Sequence, residues 1–87
     1  MIEFTFKIKN DDGTARDLIF RIHEPFRSPP ERKCPWTVLI EVEGRSYPID
    51  GMDPLEAIEN GARHAAILIH GIHGDALEPP LEPRAIP

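Results

Sequence analysis

Residues 51–57, Gly-Met-Asp-Pro-Leu-Glu-Ala, decide how the chain is divided, because a helix begins inside this stretch. Asp53 is a favoured N-cap residue, Pro54 suits the first helical position, where its missing N–H costs nothing, and Glu56 completes a capping box. Further along, apolar residues recur every three or four positions, which is typical of one stripe of a helix: Leu55, Ile58, Ala62, Ala65, Ile69 and Ile72. The pattern stops near two glycines and predicts a helix over about residues 54–71.

Before this stretch, apolar and polar residues alternate with the period of two that indicates strands with one buried face. Four segments show it, at about residues 2–9, 16–23, 36–43 and 46–49. Pro48 cannot donate to a ladder, which places the last strand at an edge of the sheet. The composition of residues 10–14 predicts a hairpin loop, and Gly44-Arg45 is a second candidate turn.

These elements predict an α+β fold, in which a four-stranded antiparallel sheet (β-β-β-β-α) carries one C-terminal helix across one face. The other face reads as mainly polar and is expected to be exposed. Eight of the ten prolines lie in two clusters, within residues 25–35 and 79–87. Because proline fixes φ and removes a donor, we expect a stiff connecting loop at the first cluster. The second cluster predicts a proline-rich tail over 75–87 after a single domain over 1–74.

Composition excludes several classes of protein. Ten basic and fifteen acidic residues give a net charge of −5, which is unsuited to binding nucleic acid. No apolar run reaches the roughly 18 residues that a membrane span needs, and the N-terminus lacks the apolar core of a signal peptide. Cys34 is the only cysteine, so no internal disulfide can form. A reducing compartment, the cytoplasm, is therefore expected.

Two motifs give the chain a resemblance to a known family. Cys-Pro-Trp at residues 34–36, followed by a strand and then by Gly-x-Asp-Pro-Leu-x-Ala at 51–57, resembles a family of small bacterial proteins of unknown function. In that family, strands precede a helix that opens with Gly-x-Asp-x-Leu-x-Ala. The resemblance covers about residues 2–72 and implies the same α+β fold without an established activity. The histidine-bearing, proline-rich end of this chain departs from the family.

Histidines late in the predicted helix are the first candidates for chemistry. His64, His70 and His73 lie close together in sequence, and Asp75 follows them. His70 and His73 are three residues apart, so both could face one metal ion if the helix continues through them. The alternative is structural, because imidazolium near a helix C-terminus is favoured by the helix dipole. Only two good ligands are close where structural zinc wants four, so the sequence favours no metal and no cofactor.

The remaining reactive groups have simple structural explanations as well. Arg32 and Lys33 flank Cys34 with the charge that activates a thiol, but no partner base can be assigned. Four carboxylates gather around the start of the helix: Asp50, Asp53, Glu56 and Glu59. Anions are stabilised at helix N-termini, so we interpret this cluster as capping rather than catalysis.

Two segments are candidates for interaction. The proline loop presents Phe26 with the basic residues Arg27, Arg32 and Lys33, and loops on rigid scaffolds often carry binding surfaces. Residues 65–69 are apolar all round, so Ile67 and Leu68 are expected to project away from the buried stripe. An exposed apolar patch usually marks association, which predicts a homodimer about a two-fold axis.

Two functions from different classes follow. The first is a protein-interaction module that acts as a homodimer. All of the net negative charge lies in residues 46–87, which could steer this module to a basic protein partner. The second is a metal-dependent or thiol enzyme that uses His64, His70, His73, Asp75 or Cys34. One helix over one sheet leaves little room for a deep pocket, so the sequence favours the interaction module.

Overall fold

Consecutive hairpins build the sheet, and one helix packs on it. The computed structural model describes residues 1–74 and the backbone of residues 84–85. The elements in chain order are β1 (Ile2–Lys9), β2 (Ala15–Ile22), β3 (Phe26–Arg27), β4 (Trp36–Val42), β5 (Arg45–Gly51), α1 (Pro54–His73) and β6 (Arg84–Ala85). The predicted α+β fold is confirmed, with β1, β2, β4 and β5 as the four predicted strands and α1 as the C-terminal helix.

All strand pairs are antiparallel, and the four long strands are neighbours in chain order, as β1-β2-β4-β5. β4 pairs with β5 along its whole length, whereas its other edge is shared by the end of β2 and by β3. The short β3 corrects the prediction that the whole proline loop lies outside the ladders. Phe26 and Arg27 stand between Pro25 and Pro29, and are therefore free to pair with Thr37 and Trp36.

The two hairpins turn differently. The loop after β1 is the predicted one: the Asn10 N–H donates to the Thr14 carbonyl at 2.8 Å, and Gly13 has a φ of +88°. The turn between β4 and β5 lies one residue earlier than predicted, at Glu43-Gly44. Both residues have positive φ, +51° and +80°, as a type I′ turn requires. This turn matches the right-handed twist of the strands, which outweighs the cost of a left-handed glutamate.

The core lies between α1 and the sheet, and most of its sheet side chains come from β2 and β4. Its buried side chains from the sheet are Ile8, Leu18, Phe20, Ile22, Val38, Ile40 and Val42. From α1 the buried residues are Ala57, Gly61, Ala65 and Ile69, so the helix is rotated from the orientation that the apolar stripe predicts. Leu55 is 78% exposed and Ile72 is also exposed. The helix lies so close to the sheet that only small side chains fit at the centre of the contact. A Cβ on Gly61 would lie only 3.0 Å from Val38 Cγ1.

The close approach of helix to sheet is tightest where the helix begins. A Cβ on Gly51 would lie 2.3 Å from the backbone nitrogen of Ala57. Only glycine therefore fits at the end of β5, beneath the first turn of α1. At the same place, the Asp53 carboxylate accepts the Glu56 N–H at 2.8 Å, and the Glu56 carboxylate accepts the Met52 N–H at 3.0 Å. The predicted N-cap is formed, whereas Glu56 accepts the N–H of Met52, one residue before the cap, rather than the N–H of Asp53 that a capping box uses.

The outer edge of β5 is free of other strands in the part of the chain that the structure describes. The Leu39 carbonyl accepts the His23 N–H and so faces β2, which makes Leu39–Pro48 a non-hydrogen-bonded pair. Pro48 consequently turns its donorless nitrogen to the outer edge. Two residues on, the Asp50 carbonyl accepts the Asn60 side-chain amide of α1 at 2.9 Å. Pro48 lies at an edge, as the sequence predicts.

The predicted tail over 75–87 lies outside the described residues, apart from the backbone of Arg84 and Ala85. These two residues form β6, which pairs with Ile2 and Glu3 of β1. Within the described part of the chain, no helix has the length and apolar character to cross a bilayer.

Candidate functional site

An apolar groove runs between α1 and β1. It has a volume of about 180 Å³, and its lining comes from Phe4, Phe6 and Phe20 of the sheet and from Ala62, Ala65, Ala66, Ile69 and His70 of the helix. The groove exists because α1 packs on β4 and β5, reaches β2 less and barely reaches β1. A helix is about 10 Å wide and strands lie about 4.8 Å apart, so one helix covers roughly two strands. The apolar face of β1 is left at the side of the helix.

A second apolar recess adjoins the groove near the start of β1. Ile2, Ile22 and Pro25 line it together with Ile58 of the helix. Ile2 is itself exposed, and so are Ala62 and Ala66. Ile58 of the predicted stripe therefore borders an open strip beside the buried face, whereas Ala57, Gly61, Ala65 and Ile69 make the contact with the sheet. Sequence reasoning did not identify Phe4, Phe6 or Ala66 as site residues. Of these, only Ala66 lies in the apolar segment 65–69 that the sequence singled out.

The proline loop forms a second candidate surface at the end of the sheet where α1 begins. Phe26 is 41% exposed beside it, and the Arg27 guanidinium lies over the Trp36 ring, 5.3 Å from its centroid. Arg32, Lys33 and Cys34 line a cavity of about 290 Å³ together with Arg27. The structure thus brings together Arg27, Arg32 and Lys33, the three basic residues that the sequence assigned to this surface.

A chain of polar contacts fixes this loop to the sheet. Arg32 Nε donates to Asp50 Oδ1 at 2.6 Å, and the Thr37 hydroxyl donates to the same oxygen at 3.2 Å. Ser28 Oγ lies 2.6 Å from Thr37 Oγ1, and since the Thr37 proton is committed to Asp50, Ser28 is the donor. Thr37 is 1% exposed, so its hydroxyl is shielded from water, whereas the Arg32 and Asp50 side chains are partly exposed. The hydrogen bond from Arg32 lowers the pKa of Asp50 and raises the pKa of Arg32.

The histidines do not assemble into one site. The His64 ring lies beside Tyr47, with 5.9 Å between the ring centroids. His73 Nε2 lies 3.1 Å from Glu43 Oε1, and His70 borders the apolar groove. Asp75 lies outside the described residues. Within the part that is described, no three histidine, cysteine or acidic side chains are placed to hold one metal ion. Cys34 lines the proline-loop cavity, whereas His70 and His73 line a polar cleft beside the first hairpin.

Glu43 ties the β4–β5 turn to the end of the helix. Its Oε1 accepts from Arg16 Nη1 at 3.2 Å and lies near His73. Burial raises the pKa of Glu43, but the hydrogen bonds from His73 and Arg16 outweigh this effect, so that its pKa is lowered. His73 therefore acts as a structural link near the helix C-terminus, where positive charge is also favoured by the dipole.

The face of the sheet opposite α1 is mainly polar but only partly exposed, since Glu3 and Thr37 on it are buried. Charged side chains form a row across three strands on this face. Arg21 Nε donates to Glu3 Oε2 at 2.9 Å, and Arg21 Nη1 donates to Glu41 Oε2 at 3.4 Å. His23 Nε2 lies 2.5 Å from Glu41 Oε1. Hydrogen bonding from His23 lowers the pKa of Glu41, and Arg21 adds to this effect. The geometry of the row is that of a cross-strand ion-pair network.

The acidic cluster at the start of α1 is used within the chain. Asp53 and Glu56 cap the helix, Asp50 binds Arg32, and Glu59 Oε1 accepts from Arg63 Nη2 at 2.8 Å. Each carboxylate thus has a partner within the chain. Asp53 and Glu56 lie at the helix cap, as interpreted, whereas Asp50 and Glu59 form ion pairs instead. The pair Glu59–Arg63 is largely exposed, with 69% and 63% of the two side chains accessible.

The apolar patch expected at Ile67 and Leu68 is smaller than predicted. Ile67 is 66% exposed on the outer side of α1. Leu68 is half-buried and packs against the core beside Tyr47, because α1 is rotated from the orientation that the stripe predicts. An apolar opening lies on the other flank of the helix, at the groove toward β1.

Comparisons with known proteins give no relative. No protein-family model matches the chain, and no curated protein or solved structure is significantly similar to it. The resemblance to the small bacterial family stays a prediction, and function has to be argued from the two surfaces.

Proposed function

We propose that this chain is a protein-interaction module that acts as a homodimer. The observation that carries the proposal is the apolar groove between α1 and β1, which has aromatic side chains on one wall and alanines on the other. Burying apolar surface contributes roughly 25 cal/mol per Å², so an open strip of this kind favours association. We place the enzyme alternative second, because the histidines and Cys34 are held in separate places.

The groove fits a second copy of the same helix. Two α1 helices that cross antiparallel about a two-fold axis near residue 64 place Ala62 of one copy against Ala66 of the other. Small residues at the crossing allow the helix axes to approach to about 8 Å. Leu55 and Ile58 extend the apolar strip on each side of this crossing. An isologous interface needs such a self-complementary strip.

Charge along the groove supports the same arrangement. About the same axis, Glu59 of one copy faces His70 of the other, and the pairing occurs twice. Both residues are exposed, and Glu59 is held only by the neighbouring Arg63 within the described part of the chain. The dimer thus brings a carboxylate to each histidine at the rim of the groove, which supports the register.

Matched substitutions on adjacent residues test the dimer. Sedimentation equilibrium of the unmodified chain from about 1 to 100 µM is expected to show a monomer–dimer equilibrium. Ala66→Glu places a charge in the groove and should give a monomer, whereas Ile67→Glu, on the other side of the helix, should leave the dimer intact. Circular dichroism confirms that each variant is folded. A monomer at all concentrations of the unmodified chain contradicts the proposal, and disruption by Ile67→Glu alone moves the interface to the outer side of α1.

A basic protein partner is a second proposal for the same module. The four carboxylates of residues 50–59 already have partners within the chain, which weakens the attraction that composition alone suggests. Capture of a basic protein that is released by salt would support this partner. Capture that Ala66→Glu abolishes would indicate that the dimer presents the surface.

A further inference from the structure

We propose that the proline loop holds a binding site for a phosphoryl group or another compact dianion, independently of the dimer. The site is the cavity of about 290 Å³ that Arg27, Arg32 and Lys33 line. Ser28, Cys34 and prolines complete the lining, and none of these residues is acidic. In a chain with a net charge of −5, three cations around one cavity are unusual.

The positive groups around this cavity are only partly neutralised by carboxylates of the same chain. Lys33 forms no ion pair in residues 1–74, and Arg27 contacts the Trp36 ring rather than a carboxylate. Arg32 uses Nε to bind Asp50, which leaves its two terminal nitrogens. Like charges around one cavity repel each other, and a dianion bound between them removes that repulsion.

The loop is already in a fixed geometry. The Ser28 N–H donates to the Pro35 carbonyl at 2.9 Å, which joins the two ends of the loop. The Arg32 N–H donates to the Pro29 carbonyl at 3.1 Å, which closes a turn inside it. Prolines at 25, 29, 30 and 35 restrict the backbone further. Asp50 orients Arg32 and Trp36 orients Arg27, so the two arginines have little conformational freedom left to lose on binding.

The chemistry of the lining selects the class of ligand. Guanidinium groups bind phosphate oxygens with paired N–H donors, and Lys33 supplies a mobile point charge. A dianion satisfies more of these donors than a single carboxylate does. The source of the phosphoryl group is either a small phosphorylated molecule or a phosphorylated side chain of another protein, and the two share this chemistry.

Cys34 provides a reporter within the site because it is the only cysteine and lines the cavity. Inorganic phosphate is expected to slow its alkylation by iodoacetamide, whereas sodium chloride at equal ionic strength should not. In the double variant Arg27→Gln, Lys33→Gln, the phosphate concentration that halves the rate of alkylation should rise about tenfold. The reason is that charged hydrogen bonds contribute more to the free energy of binding than neutral ones do.

The matched control is the double variant Lys9→Gln, Arg45→Gln. It removes the same charge from exposed positions elsewhere, and neither residue forms an ion pair within the described part of the chain. The phosphate concentration that halves its rate of alkylation should equal that of the unmodified chain. Urea unfolding of both double variants verifies that the loop substitutions leave the fold intact. Equal protection by phosphate and chloride, or an equal shift in the two double variants, would overturn the site.

Two further probes identify the source of the phosphoryl group. Stronger protection by a phosphoserine peptide than by inorganic phosphate indicates a phosphorylated protein, and stronger protection by a sugar phosphate indicates a small molecule. The dimer variant Ala66→Glu should bind phosphate as the unmodified chain does. The anion site and the dimer are therefore tested separately.

Discussion

Position 51 accepts only glycine because the first turn of α1 rests directly on the end of β5. The backbone of Ala57 occupies the space that a Cβ would need. Glycine here serves close approach rather than a left-handed conformation, since positive φ in glycine occurs only at Gly13 and Gly44 among the described residues. The Gly-x-Asp-x-Leu-x-Ala motif therefore combines a packing requirement at each end with a cap between them.

Gly51→Ala is expected to destabilise the fold by about 3 kcal/mol, the upper range for forcing an extra carbon into a packed site. Gly71→Ala is the matched control: no atom lies within 4 Å of its added Cβ, and alanine favours helix by up to about 1 kcal/mol. Urea unfolding of the two variants gives the comparison. Equal stability of both would show that α1 does not rest on β5 in this way.

The carboxylate of Glu41 predicts a dependence of stability on pH. Hydrogen bonds from His23 and Arg21 lower its pKa in the folded state, so its contribution is fully present above the unfolded pKa of about 4.3. The contribution is lost as the pH falls through the lowered folded value. We expect the free energy of unfolding to decrease below about pH 5, and Glu41→Gln to flatten that decrease.

Glu24→Gln is the control for this measurement, because Glu24 has no hydrogen bond or ion pair in the described residues. Urea unfolding at several pH values compares the two variants. Slopes that are the same for both would exclude the Glu41 network as a source of acid sensitivity.

The helix α1 depends on its cap for a defined start. Asp53 has an extended backbone, and its carboxylate accepts the N–H of Glu56. The Glu56 carboxylate accepts the N–H of Met52, the residue before the cap. Pro54 adds no unsatisfied donor at the first helical position. These local rules hold whatever the helix packs against, which is why the start of α1 could be predicted.

Asp53→Ala should cost about 1 kcal/mol of stability, whereas Asp53→Asn, which keeps a capping oxygen, should cost far less. The loss of helix signal on heating, followed by circular dichroism, measures both. If the alanine variant is as stable as the asparagine variant, the helix start is held by packing on Gly51 alone.

The strands and the helix could be predicted because each follows a local period in the sequence. Their placement relative to one another could not be predicted. Period two placed β1, β2, β4 and β5, and the edge position of Pro48 followed from its missing donor. The buried side of α1 could not be read, because the sheet contact uses Ala57 and Gly61, which add little to an apolar pattern. The groove depends on where the helix lies across the sheet, and that is decided by packing among distant residues.

The proline-loop site was readable only in part. The proximity of Arg27, Arg32 and Lys33 follows from their place on one short loop, so the sequence could assign them to one surface. The bond that orients Arg32 comes from Asp50, which lies far away along the chain and reaches the loop through the pairing of β4 with β5.

At the scale of the whole molecule, the apolar face of the sheet is wider than the single helix that covers it. If a second copy completes the cover, folding and assembly are linked and stability depends on protein concentration. The melting temperature should then rise by about 3–6 °C for a tenfold increase in concentration, since each factor of ten contributes about 1.4 kcal/mol per dimer and both chains unfold together. Ala66→Glu should abolish this dependence and Ile67→Glu should preserve it, as measured by calorimetry. A constant melting temperature of the unmodified chain would contradict the linkage.

The edge of β5 has a consequence for the behaviour of the chain in concentrated solution. A bare strand edge can recruit strands of other molecules and lead to fibrils. Here Pro48 removes the central outward donor and the Asn60 amide occupies the next outward acceptor. Strand-by-strand growth is thereby blocked on this side, so that association is directed to side-chain surfaces, where it can stop at a defined number of copies.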